Sequence, residues 1–360
     1  NRGGLETLML DVSRKLKKTD CEAIAVYRKE GVLRDEFLNT TVPLTYLPVR
    51  RNLFAYVLKL RKYFKTNKVE LVHAQQYLDA LLAYIALWCT RTKVVLTLHG
   101  FDFEGDNRLL RHILKKTHAN IYVSEYQRKY YTRKYRLKSN KQFVIYNGID
   151  FSKINQLETE QSNRFRKELG IDKSALLMGM VGNFNLVRNQ LFICRFLKVL
   201  KEKEPNFHFV FIGKRIESLP HKYDMCINYC EQYGLKENVS FLGVRDDVPD
   251  ILSQLDAFVY ATEYDTFGIA VVEAIASGIP VFTNDWEVMN EVSENGKLAN
   301  LYKTNNEIDL LEKFVLFLQD RDSFSLKSKQ ASNIVKEKYG IEKHIEKLKE
   351  IYEQILTYNS

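Results

Sequence analysis

Short apolar runs rich in β-branched and aromatic residues alternate with amphipathic segments along the whole chain, which predicts an α/β architecture with parallel sheets. Ten runs are predicted as strands: 23–28, 70–75, 93–100, 119–125, 142–148, 176–182, 208–213, 239–243, 257–262 and 280–285. The apolar residues between them recur at helical spacing, which predicts helices at 5–18, 53–66, 77–89, 188–203, 222–234, 268–276 and 307–319. The pattern therefore predicts two doubly wound halves, each with its own parallel sheet.

A polar, glycine-containing segment, NGIDFSKIN (147–155), separates the two halves. We therefore expect an N-terminal domain over 1–148 and a C-terminal domain over 149–340. A last amphipathic helix, 341–356, follows after the second sheet is complete, so residues 341–360 are expected to pack back on the first domain. The chain opens on a glycine turn that enters a helix, whereas an α/β domain normally begins with a buried strand, so we expect a first strand to be missing.

A chain of 360 residues is longer than a single hydrophobic core usually serves, which also favours two domains. Its 45% apolar and 28% charged residues are ordinary for a soluble globular protein. The longest apolar run, 78–89, is too short to cross a bilayer and contains Asp79. No secretory signal is recognisable, and the five cysteines show no paired pattern. We therefore expect a cytoplasmic protein.

The net charge of +9 conceals an imbalance between the two halves of the chain. Residues 1–150 hold 28 Lys and Arg against 14 Asp and Glu, a balance of +14, whereas the remainder holds 26 against 31, a balance of −5. This asymmetry indicates that the first half meets an anionic partner: a nucleic acid, an anionic membrane face or a phosphorylated substrate. Because no recognised nucleic-acid-binding motif is present, we do not expect nucleic acid.

Two basic segments of the first half also contain aromatic residues, 53–66 and 126–138. Helices of this composition suit an anionic membrane surface, where tyrosine lies at the headgroups and each basic residue adds up to about 1 kcal/mol. In the alternative, the tyrosines pack inward and the charges are merely solvated. The sequence leaves both interpretations open, and with them a peripheral contact with the cytoplasmic face of a membrane.

One segment, EYDTFGIAVVEAIASGIP (263–280), holds two carboxylates with seven residues between them, around a predicted helix start. The first helical turn presents unsatisfied backbone N–H groups that form an anion site, and Gly268 lets a diphosphate approach the backbone closely. Asp265 and Glu273 would accept hydrogen bonds from hydroxyls on either side of that charge, the order of groups in a sugar–diphosphate–ribose ligand. In the alternative, Asp265 is a helix N-cap and Glu273 a solvated surface residue, although the apolar neighbours of Glu273 argue against the latter.

Three glycines, Gly182, Gly213 and Gly243, each end a predicted strand, where open α/β sheets bind ligands. None belongs to a G-x-G-x-x-G fingerprint, so a dinucleotide-binding interpretation has little support. A single glycine after a strand is often only a turn. Their combination with the 263–280 segment is what favours a ligand-binding role.

The stretch TEYDTFGIAVVEAIASGIPV resembles the signature of family-4 glycosyltransferases, S-x-x-E-G-F-G-x-x-x-x-E-A-x-A-x-G-x-P-V. Further motifs similar to that family occur along the chain: GGLE (3–6), LTLHG (96–100), YVSE (122–125), VIYNGID (144–150), VGNF…RNQ (181–190), VSFLGVRDDV (239–248) and LDAFVYAT (255–262). The resemblance implies the GT-B fold, in which two Rossmann-like, doubly wound domains face a deep cleft. It also implies a retaining glycosyltransferase that moves a hexosyl or N-acetylhexosaminyl group from a nucleoside-diphosphate sugar to a glycan or lipid-linked acceptor. Such activity belongs to cell-surface polysaccharide or glycolipid biosynthesis.

The resemblance also assigns roles to individual residues. Glu273 would hold the ribose hydroxyls, and Asp265 would contact hydroxyls of the donor sugar. Arg188 would neutralise the leaving diphosphate, and His99 would line the sugar site near the scissile bond. The other implied positions are the diphosphate-binding backbone of Phe267, Gly268 and Ile269, the strand-end residues Gly182 and Asn183, the base-contacting Val244 and Arg245, and the glycine loop of Gly3 and Gly4.

Two positions depart from the family pattern. Asp265 is one methylene shorter than the usual glutamate, and Asn183 stands where the family has an arginine, for which Lys214 or Arg215 is a candidate substitute. Because basic groups and amides neutralise the diphosphate, no metal ion or other cofactor is expected, and no strand-end D-x-D suited to Mg²⁺ is present. Two alternatives stay open: a GT-B nucleotide-sugar epimerase, and a catalytically weak relative that only binds nucleotide-sugar.

Overall fold

The computed structural model describes residues 4–16, 22–49, 52–103, 105–154 and 164–357. The chain divides into two compact units: the first is Asn1–Asp150 together with Tyr339–Ser360, and the second is Phe151–Lys338. Among the helices of the described ranges, none combines the length and the apolar character needed to span a bilayer.

The first unit is built on parallel strands. Its strands are β1 (Ala25–Tyr27), β2 (Leu44–Tyr46), β3 (Leu71–Ala74), β4 (Lys93–Leu98), β5 (Ala119–Tyr122) and β6 (Gln142–Val144). The helices up to Asp150 are α1 (Gly4–Leu16), α2 (Arg34–Leu38), α3 (Leu53–Thr66), α4 (Tyr77–Ala86), α5 (Arg108–Lys116) and α6 (Glu125–Tyr135). β1 pairs with β2 alone, and the other strands form a sheet in the order β3-β4-β5-β6.

The second unit has a single six-stranded parallel sheet. Its strands are β7 (Leu176–Val181), β8 (Phe207–Ile212), β9 (Val239–Gly243), β10 (Ala257–Tyr260), β11 (Val281–Asn284) and β12 (Asn300–Tyr302). Its helices are α7 (Arg164–Glu168), α8 (Gln190–Lys201), α9 (Pro220–Gln232), α10 (Val248–Leu252), α11 (Ile269–Ala276), α12 (Glu287–Val292), α13 (Glu307–Gln319) and α14 (Arg321–Tyr339). The strand order is β12-β11-β10-β7-β8-β9, so the first strand of the unit lies in the middle of the sheet.

The last helix, α15 (Ile341–Thr357), belongs to the first unit. Its residues Leu348 and Ile351 pack with Val95 and Ile121 on one face of the four-stranded sheet. Because successive strand residues point to opposite faces, Leu96 and Tyr122 lie on the other face, and they pack there with α3 and α4. The sheet is therefore covered by helices on both faces, which explains why its strands are apolar throughout.

The parallel strands predicted from the sequence are confirmed, and helices α3 and α13 begin and end at the predicted residues. The helix predicted at 188–203 begins later, at Gln190, because the Asn189 side chain accepts a hydrogen bond from the Phe192 amide (3.1 Å) and caps it. Arg188 therefore lies in the loop between β7 and α8, not on a helix. Several predicted strands also end two to four residues early, so that His99 and Asn147 follow their strands.

Candidate active site

The sheet of the second unit reverses its direction of growth between β7 and β10. From β7 the chain adds β8 and β9 on one side, and it then adds β10, β11 and β12 on the other. The carboxyl ends of the neighbouring strands β7 and β10 therefore lie side by side at this point. Open α/β sheets bind their ligands at such a topological switch point.

The loops that follow β7 and β10 are joined by backbone hydrogen bonds. Arg188 forms an antiparallel bridge with Thr262, and the Asn189 amide donates to the Ala261 carbonyl over 3.1 Å. The Thr262 side chain is buried and donates to the Val187 carbonyl (2.9 Å). The two loops are therefore held in one register, which fixes the position of the Arg188 backbone.

The guanidinium of Arg188 is held on three sides. Its Nη2 donates to Asp265 Oδ2 (2.9 Å), its Nη1 donates to Thr262 Oγ1 (3.1 Å), and its Cζ lies 5.2 Å from the centroid of the Tyr260 ring. A Cβ at Gly182 would lie 3.3 Å from Arg188 Nε, so the glycine makes room for the side chain. Burial by itself would lower the pKa of Arg188, but Tyr260 and Asp265 outweigh it and raise the pKa above its ordinary value. The result is a permanently charged, oriented cation.

Both carboxylate oxygens of Asp265 already have partners in the protein. Oδ2 accepts from Arg188 and from the Tyr260 hydroxyl (2.9 Å), and Oδ1 accepts from the Thr266 amide (2.7 Å). Burial raises the pKa of Tyr260, so its hydroxyl stays protonated and can donate. The Trp286 indole donates to the Asp265 backbone carbonyl (3.1 Å), which also fixes the loop. Asp265 is therefore placed to orient Arg188.

Helix α11 starts at the position predicted for the anion site. Gly268 precedes it with φ at +82°, and a Cβ there would lie 2.6 Å from Met289 Cε, so both backbone conformation and space require glycine. Phe267 is buried, and its amide donates to Asp265 Oδ1 over 3.4 Å. Ile269 is the first helical residue, and Glu273 lies one turn further on, half-buried among apolar neighbours.

The two candidate substitutes for the missing strand-end arginine differ in their surroundings. Asn183 Oδ1 accepts a hydrogen bond from the Lys214 amide (2.8 Å), so Asn183 ties the loop after β7 to the loop after β8. The Lys214 side chain is exposed. Arg215 donates to both oxygens of Asp224 (3.1 and 3.0 Å) at the surface. Asn183 thus contributes a structural bond where the family pattern has a cation.

The two residues predicted to contact the base, Val244 and Arg245, also differ in their surroundings. Val244, the residue that follows β9, is 63% exposed. The Arg245 guanidinium is held by two carboxylates, with Nε and Nη2 donating to Asp247 (2.8 and 2.7 Å) and Nη1 donating to Glu168 (2.5 Å). Hydrogen bonds from Asp247 and Glu168 raise the pKa of Arg245. Its side chain therefore anchors this loop, and Val244 and the backbone are what the loop presents outward.

The first unit holds His99 immediately after strand β4. Its neighbour in the sheet, β3, ends at Ala74 and is followed by Gln75, so the two polar residues meet at one sheet edge. His99 Nε2 lies 2.8 Å from Gln75 Oε1, and because an amide oxygen only accepts, Nε2 is the nitrogen that carries the proton. Burial and then the charge of His344 lower the pKa of His99 to about 4, so its imidazole is neutral at pH 7.

A second histidine, His73, lies behind His99 within strand β3. Its Nδ1 is 2.6 Å from the Tyr352 hydroxyl on α15, and its Nε2 is 2.6 Å from Thr97 Oγ1 on β4. Burial, followed by the charges of His99 and His344, lowers the pKa of His73 to about 3. This polar group joins α15 to the sheet that carries His99.

Gly4 begins helix α1 and is exposed, whereas Gly3 lies outside the described residues. No group of three His, Cys, Asp or Glu side chains arranged to hold a metal ion occurs in the ranges that the structure describes. The structure thus brings Arg188, Asp265 and Gly182 together in the second unit. His99 is placed in the first unit with Gln75.

Comparison with known proteins now defines the class. Two α/β units with parallel sheets are the architecture of GT-B glycosyltransferases. Residues 161–352 match the family described as "Glycosyl transferases group 1", and residues 2–153 match "Glycosyltransferase Family 4". The chain therefore belongs to the glycosyl transferases group 1 family, as the sequence motifs indicated.

Named relatives and solved structures agree with this assignment. The chain is 25% identical over 374 residues to an Escherichia coli UDP-Gal:alpha-D-GlcNAc-diphosphoundecaprenol alpha-1,3-galactosyltransferase, covering 97% of this chain and 93% of that protein. It is 23% identical over 328 residues to the capsular polysaccharide biosynthesis glycosyltransferase CapH of Staphylococcus aureus, covering 87% and 85%. The crystal structure of Anabaena Alr3699/HepE in complex with UDP and glucose superposes with a TM-score of 0.87, at 17% identity, over 98% of this chain and 97% of that one. The predicted GT-B fold is thereby confirmed.

Sequence reasoning missed three residues that shape the site. Gln75 could have been found from the sequence, because it directly follows strand β3 as His99 directly follows β4, and the two strands are neighbours in the sheet. Tyr260 and Thr262 belong to the predicted strand AFVYAT, and alternation along that segment gives no sign that Tyr260 bonds to Asp265 and Thr262 to Arg188. Those contacts depend on the loop after β7 folding over the end of β10.

The lowered histidine pKa values predict a dependence of stability on pH. Because the native state keeps His73 neutral down to about pH 3 while an unfolded histidine binds a proton near 6.5, stability rises with pH across that window and is lost as pH falls. Between about pH 6.5 and about pH 5, His73→Gln should reduce the slope of unfolding free energy against pH by up to about 1.4 kcal/mol per unit, measured by urea unfolding. His112→Gln, at an exposed histidine, is the matched control and should leave the slope unchanged. An unaltered slope in His73→Gln would show that His73 titrates normally.

Proposed function

We propose that this glycosyltransferase moves a sugar from a nucleoside-diphosphate sugar, with retention of anomeric configuration, to a glycan or lipid-linked acceptor in polysaccharide or glycolipid biosynthesis. The observation that carries the proposal is the oriented guanidinium of Arg188 at the switch point of the second unit. The name of the E. coli relative, which specifies UDP-galactose and a diphosphoundecaprenol-linked acceptor, supports both substrate classes.

In this proposal Arg188 binds the diphosphate of the donor. As the bond between the anomeric carbon and the phosphate oxygen breaks, negative charge develops on the leaving diphosphate, and the guanidinium stabilises it. A cation that is already oriented loses little free energy to reorganisation when the charge appears. The space above Gly182 and the first amides of α11, at Gly268 and Ile269, complete the anion site.

We assign Asp265 to the orientation of Arg188. Its two oxygens accept hydrogen bonds from Arg188, Tyr260 and the amide of Thr266. Because a carboxylate has about four acceptor sites, most of them are already occupied and little capacity is left for a sugar hydroxyl. Contact with the donor sugar, the role that the family pattern suggests, is therefore secondary here. The shorter side chain of aspartate fits a carboxylate that is held against its own loop.

Glu273 is assigned to the ribose hydroxyls of the nucleotide. It stands on the same helix whose first turn binds the phosphates, and its half-buried position restricts its side chain. Hydrogen bonds between a carboxylate and two vicinal hydroxyls are charge-assisted, which makes them stronger than neutral ones. Val244 and the backbone beside it are assigned to the base, since the Arg245 side chain is held by Asp247 and Glu168.

His99 is assigned to the donor sugar as a hydrogen-bonding residue. A neutral imidazole whose Nε2–H is directed to Gln75 is a poor proton donor at pH 7, which favours positioning over general acid catalysis. Gln75 then acts through His99 by fixing its tautomer and ring orientation. The absence of a metal requirement remains a prediction, and full activity in the presence of EDTA would support it.

Loss of the guanidinium should weaken diphosphate binding. Arg188→Gln removes a charge-assisted interaction of about 1.5–3 kcal/mol, so the affinity for UDP should fall by roughly 10- to 100-fold in isothermal titration calorimetry. Glu273→Gln should weaken UDP by a similar factor while leaving inorganic pyrophosphate unaffected. Arg321→Gln and Glu312→Gln, at exposed positions, are the matched controls. Equal affinity of Arg188→Gln and the wild-type protein for UDP would remove Arg188 from the site.

The reaction itself is tested by product analysis. Wild-type protein incubated with UDP-sugars and a diphospholipid-linked sugar acceptor should release UDP only when acceptor is present, and NMR of the product should show the anomeric configuration of the donor. An inverted anomeric centre would contradict retention. Conversion of the donor to an epimer without an acceptor would establish the epimerase alternative, and binding without any turnover would establish the catalytically weak relative.

A further inference from the structure

Helix α3 exposes apolar side chains on the face that it turns to solvent. Its inner face is ordinary, since Tyr56 and Leu60 are each only 5% exposed. On the outer face, however, Phe54 is 72% exposed, Leu53 52% and Leu58 50%. The apolar residues of the inner face suffice to pack the helix against the unit, so packing does not explain those of the outer face. Phe54 and Leu58 are four residues apart and so lie on the same side of the helix, and exposed apolar side chains grouped in this way favour an interaction surface.

A tryptophan that follows the next helix, α4, extends this surface. Trp88, two residues beyond α4, is 64% exposed. Arg61 of α3 donates from Nη1 to the carbonyls of Ala86 and Trp88, each over 2.9 Å, and thereby joins the end of α4 to α3. Leu58 lies one helical turn before Arg61, on the same side of α3. Leu53, Phe54, Leu58 and Trp88 are called the apolar patch below.

The two chain segments that carry the apolar patch are rich in basic residues, and the nearest acidic residues along the chain are Glu70 and Asp79, of which Asp79 is paired with Arg28 (2.8 Å). Residues 52–69 and 80–101 contain no Asp or Glu. The exposed basic residues of the same segments are Lys59, Arg61, Lys62, Lys65, Lys68 and Arg91. Arg61 bonds to neutral carbonyls and so keeps its charge uncompensated by a carboxylate. The surface therefore combines exposed aromatic groups with a local excess of positive charge.

We propose that the apolar patch and its basic surround bind an anionic lipid bilayer surface. Tryptophan and phenylalanine enter the boundary between headgroups and acyl chains, while each nearby Lys or Arg contributes about 1 kcal/mol against anionic lipid. The two contributions add, because interfacial binding strength grows with the buried apolar area and with the attraction to anionic lipids. A second copy of this chain is a poorer occupant, because two such faces would bring their positive charges together.

The other aromatic and basic segment, 126–138, differs from this surface in the burial of its aromatic rings. On α6 the rings of Tyr131 and Tyr135 are buried, and the Tyr130 hydroxyl donates to the Asp102 carbonyl (2.5 Å). Two tyrosines of α6 thus pack inward and the other two, Tyr126 and Tyr130, are half-buried, which favours the alternative in which this segment packs against its own unit. The membrane interpretation is retained for α3 and the end of α4 alone.

The test measures vesicle binding and does not depend on enzymatic activity or on the proposed function. The 360-residue chain is floated with phosphatidylcholine vesicles that do or do not contain phosphatidylglycerol, at low and high salt. We expect flotation with the anionic vesicles, at least about tenfold less of it for F54S/W88S, and a similar loss for K59E/K62E. The matched control L316S/L326S changes two leucines of comparable exposure in the second unit and should float like the wild type.

A spectroscopic readout locates the contact. The chain has two tryptophans, so W286F leaves Trp88 as the only indole, and its emission should shift to the blue when anionic vesicles are added. Failure of the wild type to float at low salt would overturn the proposal, as would equal flotation of F54S/W88S and L316S/L326S. If light scattering instead gives a wild-type dimer that F54S/W88S converts to a monomer, and vesicles do not bind, the patch is a self-association surface and the proposal is wrong.

Discussion

The ion pair between Arg188 and Asp265 is the interaction on which the site of the second unit depends. Arg188 leaves the carboxyl end of the central strand β7, and Asp265 leaves the end of its neighbour β10. Their side chains meet at 2.9 Å in a largely buried setting, where a lone charge would be costly. The Tyr260 hydroxyl and the Thr262 side chain supply the additional hydrogen bonds that such a pair requires. The arrangement keeps a cation at the switch point ready for an anion.

Two glycines allow the backbone to build this arrangement. Gly182 leaves the volume that the Arg188 side chain occupies, and Gly268 adopts a left-handed conformation against Met289 that lets α11 begin beside the Asp265 loop. In the first unit the corresponding strand edge holds neutral histidines, whose charge is suppressed by burial.

Periodicity predicted the elements that have a strong apolar stripe, such as α3 and α13, and the motif order predicted the family. Periodicity did not predict α14, because its sequence RDSFSLKSKQASNIVKEKY is mostly polar. It also did not predict β12, which has only three residues and is recognisable through its pairing with β11. At the site, the sequence identified Arg188 and Asp265 separately but not their mutual bond. That bond requires the fold, because it joins residues 77 positions apart through the pairing of β7 with β10.

The central claim is that Asp265 acts on the diphosphate through Arg188, and a double-mutant cycle tests it directly. UDP affinity is measured for the wild type, Arg188→Gln, Asp265→Asn and the double variant. Since Asp265 is held to orient Arg188, its replacement should matter only while Arg188 is present, giving a coupling free energy above about 1 kcal/mol. Additive effects within about 0.5 kcal/mol would contradict the account, because Asp265 would then act on the ligand independently.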